Sequence, residues 1–339
     1  DVVPCVPAEA CVGENNCAVG YRSDEYPYRC ALCDDGYYRR GGLCEKCPDS
    51  PIALMLMVLL LAMVAAGVAY MLNRKGVNIA LISIGIDYMQ VLAIFASSRV
   101  SWPPMIRELF HILSAFNLNL EILAPECVVP DVSYITKWAV TEMLPLMVVT
   151  VMLLFTGVSM CFQLTKGRVR RRDLLEQTPA LTSMTITTLT FLYLYITKTA
   201  LDPFICIPTD PPDGKLYLQA QFEDCSKPGG IAQTLQPWAV VAILVYTIGF
   251  PVLALLFLRT HQQVAKVMQM RRAFHRLYYY FRPDYATFWI LILLLRKALI
   301  AISSLAFATN PAFQMAFALL VIFLAFTAQV RYLPYMAPR

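Results

Sequence analysis

Four charged side chains lie within long apolar stretches of the sequence, where charge is least expected. Asp87 and Glu142 lie in two of these stretches, and Arg296 and Lys297 are neighbours in a third. A charge at the centre of a bilayer costs about 3 kcal/mol on insertion scales, so such residues usually face the interior of a helix bundle and pair. We expect these four residues to form an intramembrane charge cluster. Its two interpretations are salt bridges that lock the helices together, and an ion pathway or movable switch.

The apolar stretches themselves have the length of membrane spans. A helix needs roughly 20 apolar residues to cross about 30 Å of hydrocarbon. The sequence is 58% hydrophobic and 15% charged, whereas ordinary soluble domains contain about 25% charged residues. Candidate spans lie at about 52–72, 77–97, 134–163, 179–200, 233–258, 286–307 and 311–330. The predicted fold is an all-α membrane protein, with a bundle of seven transmembrane helices in residues 51–339.

The first 50 residues, called the head below, have a different chemistry. They contain seven of the 11 cysteines: Cys5, Cys11, Cys17, Cys30, Cys33, Cys44 and Cys47. Few aliphatic residues are available for a core, so the head is predicted to be a small extracellular module held by disulfides. The spacing Cys30-x2-Cys33-x10-Cys44-x2-Cys47 also suits a zinc site with four thiolates. An oxidising compartment favours disulfides over zinc.

Basic residues predict the orientation of the spans. If the head is outside, the cytoplasmic loops include the Arg-rich segments 166–172 and 271–282, and the opposite loops contain few Lys or Arg. This distribution obeys the positive-inside rule. The N-terminus is therefore predicted to be extracellular and the C-terminus cytoplasmic. The net charge of +5 follows from this distribution, and no nucleic-acid partner is indicated.

The same orientation predicts how the remaining cysteines pair. Cys206 and Cys225 lie in one outer loop, so we expect a local disulfide between them. The odd number of cysteines in the head leaves one over, for which Cys127 and a cysteine upstream of Asp1 are alternative partners. Cys161 lies near the inner end of the third span and is expected to be free.

Other segments predict local features of the membrane region. Apolar residues recur at helical spacing in 102–123, which predicts an amphipathic helix at the outer membrane interface; a re-entrant segment is the alternative. Pro145 and Gly249-Phe250-Pro251 predict bends in the third and fifth spans.

Several motifs resemble known families. Cys30-Ala-Leu-Cys33 and Cys44-Glu-Lys-Cys47-Pro are similar to the ephrin-receptor-like cysteine-rich repeats of extracellular proteins. The membrane region resembles transient-receptor-potential-like multi-pass proteins of green algae and other flagellated protists, through Asp87-Tyr-Met-Gln-Val, Tyr246-Thr-Ile-Gly-Phe-Pro and Arg296-Lys297. This resemblance implies a membrane protein behind a large extracellular region. Since the sequence begins at Asp1 within a cysteine pattern, we expect a longer protein rather than a cleaved signal peptide.

The function expected first is a membrane anchor or sensor that holds a larger extracellular protein on the cell or ciliary surface. Its expected partners are the lipid bilayer, an extracellular protein or stalk that includes the preceding part of the chain, and a membrane channel. The alternatives are a transient-receptor-potential-like cation channel and a seven-span receptor. Against a channel, 308–311 is too short for the pore helix and filter that such channels place between their last two spans. No enzyme, catalytic residue, cofactor or metal site is predicted.

Overall fold

The computed structural model describes residues 10–13, 16–22, 30, 32–40, 43–53, 56–57, 60, 64, 85, 87–92, 103, 105–106, 108–109, 113, 125–129, 132–165, 185, 188–208, 212, 214–260 and 286–334. The chain forms two compact units. The first comprises residues 1–139, 201–240 and 303–315, and the second comprises residues 140–200, 241–302 and 316–339.

The helices are α1 (Pro125–Val128), α2 (Tyr134–Thr165), α3 (188–201), α4 (Ile231–Ala242), a π-helix (Ile243–Gly249), α5 (Phe250–Thr260), α6 (Ala286–Ala306) and α7 (Pro311–Tyr332). All of these helices except the short α1 follow the predicted apolar stretches. Within the described residues, three segments are long and apolar enough to cross a bilayer: Ile231–Leu256, Trp289–Ala306 and Pro311–Tyr332. They coincide with the last three predicted spans and indicate a membrane protein. The seven-span bundle stays a prediction.

The first two predicted spans and the interfacial helix lie largely outside the described residues. Helical residues are found at 51–53, 56–57, 60 and 64, at 85 and 87–92, and at 105–106, 108–109 and 113. The third predicted span corresponds to α2, and the described end of the fourth corresponds to α3.

The apolar surface of α2 fits a hydrocarbon environment. Val151, Leu154 and Val158 are each more than 60% exposed. In water, an apolar surface of this kind would normally be buried against another element. In a bilayer it faces lipid, while the helix satisfies its own backbone groups.

Within the described residues, three small antiparallel sheets accompany the helices of this mostly helical chain. In the head, β1 (Cys11–Gly13) pairs with β2 (Asn16–Cys17), and β3 (Tyr37–Arg40) pairs with β4 (Leu43–Lys46). Between α3 and α4, β5 (Cys206–Pro208) pairs with β6 (Leu216–Leu218). The sequence did not predict this last hairpin, because strands of three residues have too little alternation to be recognised.

Aromatic and sulfur atoms form the small core of the head. Tyr21 and Cys30 are buried there, and the side chains of Cys11, Cys17 and Cys44 pack around them. The hydroxyl of Tyr21 accepts a hydrogen bond from the Cys44 backbone N–H at 3.1 Å. The core is therefore built from the cross-links themselves, as expected of a domain with too few aliphatic residues to bury.

All described cysteines except Cys161 are in disulfides. Cys161 is free, and Cys11 is in a disulfide, while Cys5 lies outside the described residues. The other disulfides are Cys17–Cys30, Cys33–Cys44, Cys47–Cys127 and Cys206–Cys225. The predicted Cys206–Cys225 bond is confirmed, and Cys127 takes a cysteine of the head. The zinc alternative is wrong, because all four of its thiols are oxidised.

A tight turn joins α6 to α7. The backbone N–H of Phe307 donates to the carbonyl of Ser303 at 3.1 Å, and that of Asn310 donates to the carbonyl of Phe307 at 3.0 Å. Helix α7 begins at the next residue, Pro311. The prediction that no pore helix fits between these two helices is confirmed.

Candidate functional site

The second unit buries polar side chains among its apolar helices. Glu142 on α2 is 5% exposed, Lys297 on α6 is 3% exposed, and Thr197 on α3 is fully buried. Ionisable groups within a membrane domain are costly and are usually retained for a function or for a specific pairing. These residues and their neighbours therefore form the candidate site.

Lys297 connects α6 to α3. Its Nζ donates a hydrogen bond of 3.1 Å to the carbonyl oxygen of Thr190. A carbonyl dipole solvates part of the ammonium charge but does not neutralise it. On α2, the carboxyl group of Glu142 lies close enough to the phenol of Tyr246 to interact with it electrostatically. The second unit thus buries one acidic and one basic side chain among its helices.

The four residues of the predicted charge cluster are divided between the two units. Glu142, Arg296 and Lys297 belong to the second unit, and Asp87 belongs to the first. Asp87 is partly exposed in the helical segment 87–92, beside the buried Gln90. Arg296 is partly buried. The salt bridges between these acids and bases stay a prediction.

A hydrogen bond between α3 and the π-helix compensates for a proline. In an α-helix, the carbonyl of Thr247 would accept from the N–H four residues later, but that residue is Pro251, which has no N–H. The hydroxyl of Tyr193 donates to this carbonyl instead, at 2.9 Å. The Thr247 hydroxyl also donates to the Thr197 hydroxyl at 3.3 Å. The hydroxyl of Tyr193 therefore takes the place of the missing backbone donor.

The π-helix requires a glycine at its end. In this wider coil, a Cβ added at Gly249 would lie 2.9 Å from the carbonyl oxygen of Leu244, a distance that real Cβ atoms do not tolerate. Five residues separate the two positions, which is the spacing of π-helical hydrogen bonds. The glycine thus permits the π-helix, and the following proline discourages a regular α-helix.

A narrow cavity is lined in part by Tyr193, which donates the hydrogen bond to the Thr247 carbonyl. Its volume is about 10 Å³, and its walls are the side chains of Leu189, Tyr193, Ile196, Tyr246 and Phe250. A space of this size holds about one water molecule. The rings of Tyr193 and Phe250 meet with their centres 6.1 Å apart. The cavity is too small for an organic ligand, but it leaves room for these side chains to move.

In the first unit, the head is held against the loop that carries β5 and β6. Nη1 of Arg39 donates a hydrogen bond of 2.7 Å to the carbonyl oxygen of Ala220. The Cys47–Cys127 disulfide adds a covalent link just before α2. A guanidinium in a charge-assisted bond and a cystine together fix the head at two points.

The same loop holds the start of α4. Oε2 of Glu223 accepts from the backbone N–H of Ile231 at 2.7 Å, and Oε1 accepts from Lys227 at 2.9 Å. A carboxylate at a helix N-terminus also interacts favourably with the helix dipole. Behind this contact, Trp138 of α2 packs against Leu235 and Ala239 of α4. The loop, α2 and α4 are therefore connected by polar and apolar contacts.

The sequence predicted a bend at Gly249-Phe250-Pro251, where the structure has a π-helix that ends at Gly249. Neither the π-helix nor the contact of Tyr193 was predicted. The position of the proline does identify Thr247 as the carbonyl that loses its donor. The residue that replaces the donor lies 54 positions earlier, and no local pattern marks it.

The described residues contain no group of three or more His, Cys, Asp or Glu side chains placed to hold a metal ion. Comparisons of the chain with family models, with curated proteins and with solved structures find no match.

Proposed function

We propose that the protein is a membrane anchor and sensor, which holds a cysteine-rich extracellular region on the cell or ciliary surface and passes mechanical or conformational change to its helices. The N-terminus is extracellular and the C-terminus cytoplasmic in this proposal. The resemblance to transient-receptor-potential-like multi-pass proteins with ephrin-receptor-like repeats belongs to the same proposal. The observation that carries it is the disulfide between Cys47 and Cys127.

This disulfide gives a pulling force a direct route. A force on the head would otherwise travel through the 80 positions that separate the two cysteines in sequence, a segment that includes the first two predicted spans. The covalent link carries the force to Cys127 instead, shortly before α2 begins at Tyr134. This route makes the protein a stronger anchor, because a force on the head does not pull the first two predicted spans out of the membrane one after the other.

Single-molecule pulling tests the anchor. The full chain in bicelles is pulled by tags at its two ends. In the wild type, residues between Cys47 and Cys127 are shielded from force. In the C47S/C127S double variant they become extensible, which adds roughly 270 Å of contour length at about 3.4 Å per residue. The C206S/C225S variant is the control, because its loop of 19 positions releases much less chain.

An unchanged contour length in C47S/C127S would contradict the anchor, because force would then already pass through the first spans. Detachment of the head from the membrane at the same force in both proteins would contradict it as well.

A cation channel is the second candidate, and the buried Glu142 and Lys297 are the observation that favours it. The turn between α6 and α7 directs any conduction pathway through the helix bundle rather than between these two helices. Planar-bilayer recordings of the full chain separate the candidates. Single-channel currents that change selectivity in E142Q or K297M would support the channel, and their absence in a folded preparation would support the anchor.

A further inference from the structure

We propose that Ile243–Gly249 is a conformational switch, in which the π-helix converts to an α-helix and rotates α5 relative to α4. Tyr193 is the latch that holds the π-helical state. The input to this switch, a movement of the disulfide-linked head and loop, rests on the proposed sensor function. The switch itself rests on the geometry of the fifth span.

Opposing features keep the two states close in stability. A π-helix is rare and usually unfavourable, and single turns of it occur mostly at functional positions. Here Gly249 removes the steric cost of the π-helix at the Leu244 carbonyl. Pro251 removes one hydrogen bond that an α-helix would gain. The bond from Tyr193 to the Thr247 carbonyl adds stability to the π-helical state alone, because conversion turns that carbonyl away.

Conversion has a defined effect on the span. A π-helical turn contains about one residue more than an α-helical turn. When it converts to an α-helix, every later residue moves forward by one helical position, which is a rotation of about 100° about the helix axis. Leu253 on α5 is 65% exposed, and Leu255 is partly buried. If α4 stays fixed, Leu253 moves to the partly buried position of Ala254. Leu255 moves to the exposed position of Leu256.

The N-terminal end of α4, where the fifth span begins, is attached to the loop that carries β5 and β6. This loop is the proposed input to the switch. Glu223 holds the first N–H of α4, and Nε2 of Gln236 donates to the carbonyl of Pro203 at 3.4 Å. Glu223 lies within the loop closed by the Cys206–Cys225 disulfide, two residues before its end, and Pro203 lies three residues before its start. A shift of this loop therefore acts on α4, and α4 continues directly into the π-helix within the segment Ile231–Leu256.

Oxygen accessibility of spin labels tests the switch. Labels are placed at position 253 or 255 in a C161S background, in full-length protein reconstituted in phosphatidylcholine vesicles. Dissolved oxygen concentrates in the hydrocarbon, so the label that faces lipid relaxes faster. The measured quantity is the oxygen accessibility of the label at position 253 divided by that of the label at position 255. In the wild type this ratio is expected to be above one.

Three variants are expected to lower this ratio. G249A introduces the clash with Leu244, P251A supplies the missing N–H, and Y193F removes the latch without altering the span. The G249A/P251A double variant is expected to invert the ratio. The matched controls are G157A on α2, where an added Cβ meets nothing within 4 Å, and P237A on α4, upstream of the π-helix. Both are expected to keep the wild-type ratio.

Three outcomes decide between the switch and the sensor. If the ratio stays at its wild-type value in Y193F, P251A and the double variant, the switch is wrong. If those variants lower the ratio but C47S/C127S leaves it unchanged, the switch stands and the sensor function fails. A lowered ratio in C47S/C127S supports both.

Discussion

The hydroxyl of Tyr193 donates a 2.9 Å hydrogen bond to the carbonyl oxygen of Thr247, the backbone acceptor that Pro251 leaves without its α-helical donor. A buried acceptor without a donor costs about 1–3 kcal/mol, which is more than an average hydrogen bond contributes. Tyr193 is 4% exposed, so water does not readily replace its hydroxyl. This bond therefore links the stability of the fifth span to a single side chain on α3.

Replacement of Tyr193 by Phe should lower the free energy of unfolding by about 1 kcal/mol, because it removes the hydrogen bond to the Thr247 carbonyl. In a P251A background the loss should be smaller, since the new N–H can serve the same carbonyl. The wild type, Y193F, P251A and the Y193F/P251A double variant form a double-mutant cycle. Their unfolding in mixed micelles of increasing SDS fraction gives the coupling energy between the two positions. Strictly additive losses would show that Tyr193 acts through packing alone.

Trp138 should contribute more to stability than Trp238, although both lie on helices of the first unit. Trp138 is 6% exposed and packs on α4, whereas Trp238 is 66% exposed. W138A removes a buried aromatic side chain and should cost about 3 kcal/mol. W238A should cost much less, because lipid replaces the contacts of an exposed ring. The same SDS titration compares the two variants, and equal losses would mean that the Trp138 cluster does not hold α2 to α4.

The sequence was sufficient for those features that depend on local pattern or on compartment. Hydrophobic length located α4 to α7, because a bilayer requires a minimum run of apolar residues. The sidedness argument predicted the local Cys206–Cys225 pair, and it named Cys127 as one of two alternative partners for the odd cysteine of the head. It did not select Cys47, since any cysteine of the head satisfied the count.

The remaining features depend on contacts that are distant in sequence. The Arg39–Ala220 bond joins residues 181 positions apart, and neither residue carries a local signal for it. The π-helix also escaped prediction, because its apolar residues have nearly the same pattern as those of an α-helix over one turn. The glycine and proline that permit it were visible, but each is equally compatible with a simple kink.

Glu223 should stabilise the start of α4 through its backbone contact rather than through its ion pair. Its side chain is 11% exposed, and that of Lys227 is 55% exposed. E223A removes the acceptor for the Ile231 N–H, which resembles the loss of a helix cap and should cost about 1 kcal/mol. K227A removes only an exposed partner and should cost less than about 0.5 kcal/mol. Hydrogen exchange of the first turn of α4 should accelerate in E223A alone; faster exchange in both variants would assign the effect to the ion pair.

Cys161 should be the one cysteine that reacts with a thiol reagent before reduction. It is free and exposed on α2, and the other described cysteines are in disulfides. Peptide mapping after N-ethylmaleimide treatment in detergent should therefore find label at Cys161, and C161S should remain unlabelled. Cys161 lies near the C-terminal end of α2, which the proposed orientation puts on the same side as the C-terminus of the chain. In sealed vesicles, a charged methanethiosulfonate should therefore reach Cys161 only from that side. Label at Cys206 or Cys225 without reduction would contradict the loop disulfide. Reaction of Cys161 from the side of the head would contradict the prediction that three spans separate the head from this thiol.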